Sequence, residues 1–95
     1  MGGRLDGKVA IVTGAARGQG EAETRLFVAE GAHVVATDVL TDAVEAVAAD
    51  LGDGAIALTH DVADADAWAS VVAAAMDRFG GVDVLVNNAG IQHVA

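Results

Sequence analysis

Val9-Ala10-Ile11-Val12-Thr13-Gly14-Ala15-Ala16-Arg17-Gly18-Gln19-Gly20 runs from an unbroken apolar segment straight into a glycine-rich turn. Residues 9–12 are entered from the turn signal Asp6-Gly7 and predict a strand buried on both faces, as in a parallel sheet. Beyond the turn, Ala22, Leu26 and Ala29 fall at helical spacing, and Gly31 ends the pattern, which predicts a helix over 20–30. Strand, glycine turn and helix in this order place three glycines where unpaired amides and the positive end of a helix can receive an anion.

The rest of the chain repeats the alternation. Residues 34–37 read as a second strand ending at Asp38. A second helix follows from Thr41, which is expected to cap it, with Val44, Val47, Ala48 and Leu51 on one face before Gly52-Asp53-Gly54. Residues 55–59 read as a third strand. Asp64 is expected to cap a longer helix with Trp68, Val72, Ala75, Met76 and Phe79 as its packed face, closed by Gly80-Gly81. A fourth apolar run over 82–86 leads into Asn87-Asn88-Ala89-Gly90. Strands alternating with helices over short connections predict an α/β chain, a Rossmann-type doubly wound parallel sheet of four strands and three helices. Such a sheet lacks the partners that cover its remaining edge and much of one face, so residues 1–95 are expected to form the N-terminal part of a single nucleotide-binding domain.

Composition narrows the function classes. The chain has 95 residues, 54% of them hydrophobic, twelve Gly, no Pro and no Cys, which suits a globular core and offers neither disulfides nor thiolate chemistry. The formal net charge of −9, with Arg4, Lys8, Arg17, Arg25 and Arg78 scattered along the chain, argues against a nucleic-acid partner. No apolar run approaches the roughly 18 residues of a membrane span, so no membrane association is expected, and a cytoplasmic location is. His33, His60 and His93 show no metal-ligand spacing and read as loop and strand-end residues.

Thr-Gly-x-x-x-Gly-x-Gly over 13–20 is neither the G-x-G-x-x-G pattern nor a triphosphate-binding loop, since no Lys-Ser or Lys-Thr follows its last glycine. It resembles the cofactor motif of the short-chain dehydrogenases/reductases, and the resemblance extends from residue 8 to residue 91. Asp61-Val62 and Asn87-Asn88-Ala89-Gly90 match further family motifs at strand ends, and the overall run is most similar to the branch with the 3α(or 20β)-hydroxysteroid dehydrogenases. The resemblance implies a nicotinamide dinucleotide held by Gly14, Arg17, Gly18, Gln19 and Gly20 at the pyrophosphate, Asp61 and Val62 at the adenine, and Asn88, Ala89 and Gly90 toward the nicotinamide. Asp38 stands where a carboxylate accepts the adenosine ribose hydroxyls and repels a 2′-phosphate, which favours NAD over NADP, although a basic residue such as Arg17 accompanies NADP in some relatives.

The implied parent protein moves hydride between the nicotinamide and a secondary alcohol or ketone, and relatives are commonly homo-oligomers. The family's catalytic Ser, Tyr and Lys cannot be carried over. The chain has no Tyr, Lys8 precedes the first strand and Ser70 lies within the third helix, so no catalytic residue is assigned and the chain alone is expected to be inactive. A non-catalytic NAD-binding module or a truncated inactive fragment is the alternative. Gln19 departs from the apolar residue common at its position in the family.

Overall fold

The computed structural model describes residues 5–61 and 64–88. Its elements follow the order β1 (Val9–Thr13), α1 (Gly18–Ala29), β2 (His33–Asp38), α2 (Thr41–Leu51), β3 (Ala55–Thr59), α3 (Ala65–Phe79) and β4 (Val84–Asn87), with a short 3-10 turn at Gly52–Gly54. All strand pairings are parallel and the order across the sheet is β3-β2-β1-β4. The expected α/β sheet is therefore present. Its strand order reverses between β1 and β4, and such a reversal opens a crevice at the C-terminal strand ends of doubly wound folds.

Strand alternation assigns the two faces. Ala10, Val12, Val34, Ala36 and Ala55 pack with Val44 and Ala48 of α2, and Phe27 and Val28 of α1 complete that cluster. Val9, Ile11 and Val35 point the other way, against Val71 and Ala75 of α3, with Ile56, Leu58 and Phe79 at its margin. Two helices on one face and one on the other is the arrangement that right-handed crossovers produce when the chain reverses direction across the sheet.

Several local expectations need correction. The packed face of α3 is Val71 and Ala75, whereas Val72 is 42% and Met76 53% exposed. In α1 the exposed positions include Ala22, Leu26 and Ala29, while Gly20 and Thr24 are buried. Thr24 tolerates burial because its hydroxyl donates to the Gly20 carbonyl at 2.8 Å. Thr41 does not cap α2. Leu40 stands at that cap, and the Thr41 hydroxyl bonds instead to the Thr59 hydroxyl at 2.6 Å. Val82 lies outside β4, because Asp83 takes over the neighbouring ladder position: its Oδ2 accepts from Val9 N at 2.9 Å and its own N donates to Val9 O at 2.8 Å.

Candidate functional site

The register brings the C-terminal ends of the strands into one row. Thr13 pairs with Thr37 and with Asn87, Asp38 pairs with Thr59, and His60 N donates to the Asp38 carbonyl at 3.0 Å. The motif residues that lie far apart in sequence thus share one rim. Val62, Ala89 and Gly90 fall outside the described residues.

The glycine turn divides its work. Gly14 and Gly18 adopt φ of +64° and +60°, a region costly for other residues, and so reverse the chain between β1 and α1. A Cβ on Gly18 would meet nothing within 4 Å among the described residues, so that side stays open to a ligand. Gly20 is buried, and a Cβ there would clash with the Gly14 carbonyl oxygen, so the missing side chain lets the helix pack closely under the turn. Arg17 occupies the N-cap of α1 with extended backbone and its side chain makes no capping bond. The first-turn amides of α1 therefore lack a side-chain acceptor of the kind that Asp64 supplies to α3, where one carboxylate accepts from Asp66 N and Ala67 N. An uncapped helix start beside an open glycine is the environment a pyrophosphate fits.

Asp38 is half-buried and reaches the same turn. Its Oδ2 accepts from Ala16 N at 3.0 Å and its Oδ1 from Leu40 N at 3.1 Å, which holds the carboxylate at the mouth of the crevice with lone pairs to spare. An open hollow of about 440 Å³ lined by Val39, Leu40, Thr41, Asp42 and Ala43 follows it in the chain. Asp61 is exposed on the loop after β3, where its carbonyl accepts from Asp64 N at 3.0 Å. At the β4 end, the Thr13 hydroxyl donates to Asn87 Oδ1 at 2.8 Å. Asn88 Nδ2 donates to the Thr13 carbonyl at 3.3 Å and to Glu23 Oε1 at 2.6 Å, and Gln19 Nε2 donates to Glu23 Oε2 at 3.4 Å. Sequence reasoning passed over Glu23.

It also underrated His60. The ring is 2% exposed, with Nδ1 sharing a hydrogen bond with the Thr37 hydroxyl at 3.1 Å and its plane edge-on to Trp68 at a centroid separation of 4.4 Å. Burial pushes its pKa below 6.5, and the nearby Asp61 and Asp64 oppose that shift without reversing it.

The family model for the short chain dehydrogenase matches residues 8–95. The chain belongs to that family. Among its relatives, the 3-alpha-(or 20-beta)-hydroxysteroid dehydrogenase of Mycobacterium tuberculosis is 50% identical over 94 residues, covering 99% of this chain and 36% of the relative. A sorbitol dehydrogenase of Cereibacter sphaeroides is 45% identical over 92 residues, covering 97% of this chain and again 36% of the relative. A short-chain dehydrogenase/reductase described as a glucose/ribitol dehydrogenase from Brucella melitensis superposes with a TM-score of 0.83 at 38% identity, covering 90% of this chain and 37% of that one. The 3-ketoacyl-(acyl-carrier-protein) reductase of the same organism, complexed with NADH, also gives 0.83, at 41% identity over 85% of this chain and 33% of its own. The chain thus spans about a third of the length of these relatives.

Proposed function

We propose that this chain is the cofactor-holding part of an NAD-dependent dehydrogenase whose substrate is a small secondary alcohol or ketone. The observation that carries the NAD reading is Asp38, a carboxylate fixed by two backbone amides at the end of β2, directly beside the glycine turn. There it would accept the ribose hydroxyls and meet a 2′-phosphate with like charge. Arg17 is exposed and has no comparable anchoring among the described residues that would direct it to that phosphate.

In this reading Gly14 and Gly18 shape the turn and let the pyrophosphate approach the open amides of α1, with Arg17 and Gln19 on its rim and Gly20 packing the helix beneath. Asp61 and Val62 would border the adenine, and Asn88, Ala89 and Gly90 the nicotinamide side. The nicotinamide supplies the hydride chemistry when bound, and this chain's residues supply orientation. The catalytic acid/base lies outside residues 1–95 in this proposal, and the parent assembles as a homo-oligomer.

Fluorescence titration of the protein at its natural length tests the reading. NADH is expected to bind more tightly than NADPH, and Asp38→Asn, which keeps the shape and removes the charge, should narrow the preference by about tenfold. Tighter NADPH binding by the wild type would refute the assignment.

A further inference from the structure

Glu23 sits half-buried in α1, outside every motif, yet its carboxylate joins the first turn of that helix to the residue that follows β4. Oε2 accepts from Gln19 Nε2 at 3.4 Å in the first turn of the same helix. Oε1 accepts from Asn88 Nδ2 at 2.6 Å, across 65 positions of sequence. Because the same Nδ2 also donates to the Thr13 carbonyl at 3.3 Å, both amide hydrogens of Asn88 have acceptors and the side chain is held in one orientation. Asn88 directly follows β4, and Gln19 belongs to the glycine turn. A single anion therefore ties the start of the segment leaving β4 to the helix that follows β1.

We propose that Glu23 is a positioning residue for the cofactor: its carboxylate locks the Asn88 amide and thereby fixes the spacing between the glycine turn and the end of β4. The inference rests on the cofactor reading above. A charge-assisted bond this short is stronger than a neutral one, and a carboxylate can accept at both oxygens at once, which a hydroxyl or a methyl cannot replace. A site held at its bound spacing before the ligand arrives spares the ordering cost on binding.

The test uses the protein at its natural length with NADH as the probe. Glu23→Ala should weaken NADH binding by about tenfold with the fold retained by circular dichroism. Glu23→Gln, which keeps one acceptor for Asn88 but gives up the charge and the acceptor for Gln19, should recover only part of the loss, to within about fivefold of wild type. Asn88→Ala should match Glu23→Ala, and the double variant should be no weaker than either, the non-additivity of two groups that act as one. Unchanged affinity in Glu23→Ala, failure of the Gln rescue, or additive losses would each overturn the proposal. A cofactor-free readout separates its failure from that of the parent reading: the Asn88 side-chain amide proton should move upfield in Glu23→Ala, and an unmoved resonance would overturn the anchor itself. If the resonance moves but the wild type binds neither NADH nor NADPH, the anchor stands, and both the cofactor reading and the positioning role built on it are refuted.

Discussion

The face of the sheet under α1 and α2 and the face under α3 are built from alternate residues of the same strands, yet they differ in how much apolar surface they leave in water. On the first, Ala10, Val12, Val34 and Ala36 are at most 1% exposed, and even the β4 residues Val84 and Val86 are partly covered. On the second, α3 seals Ile11 and Val35, but Leu85 of β4 is 55% exposed and shares that exposure with Val72 and Met76 of α3. Two crossovers on one side give continuous cover, whereas one helix reaches only the strands directly beneath it.

The largest expected effect sharpens this contrast within the second face alone. Ile11→Ala removes a side chain 1% exposed and should cost about 2–5 kcal/mol of stability, whereas Leu85→Ala should change it by less than about 0.5 kcal/mol. Urea denaturation of the two variants measures both. An equal loss at Leu85 would break the comparison, since β4 would then be as covered in solution as β1.

A smaller effect concerns the two helix starts. Asp64 caps α3 through Asp66 N and Ala67 N, and α3 is the only cover of its face among the described residues, so Asp64→Ala should lower stability by about 1 kcal/mol. Arg17→Ala at the uncapped start of α1 should be close to neutral in the absence of ligand. A loss at Arg17 equal to that at Asp64 would mean that the start of α1 is closed by its own side chain, and the case for an open anion site would fall with it.

Strand positions and their order of appearance were legible because buried parallel strands write themselves as apolar runs between glycines. The sides of the helices were not. α3 is so rich in Ala and Val that Val71 and Val72 satisfy the helical period equally well, and only the crossover geometry determines which one meets the sheet. Leu26 looked like core and Thr24 did not, because hydropathy does not register that a threonine can satisfy its hydroxyl on the preceding turn. In the site, Asp38 and the glycines were readable from their place after strands. Glu23 was not, since its partner Asn88 is distant in sequence and only the pairing of β1 with β4 brings the two together.

His60 gives the smallest expected effect and bears on the second face where β2 and β3 meet α3. In the folded protein its ring is enclosed by Thr37 and Trp68, and its Nε2 has no hydrogen-bond partner among the described residues, so protonation would place a charge in a site built for the neutral ring. Its folded pKa is depressed below the ordinary 6.5, chiefly by desolvation, with Asp61 and Asp64 pulling weakly the other way. Above that pH the ring is neutral in both states and its contribution to stability is complete. As the pH falls below 6.5, the unfolded chain takes up a proton that the folded chain resists, and stability drops until the folded pKa is reached. His60→Gln removes this titration while keeping a polar partner for Thr37. Urea midpoints of both proteins between about pH 7.5 and about pH 5 should therefore converge toward the acid end as the wild type loses stability faster. Parallel curves would mean that the ring ionises as freely in the folded protein as in the unfolded one, and that the junction of β3 with α3 admits water.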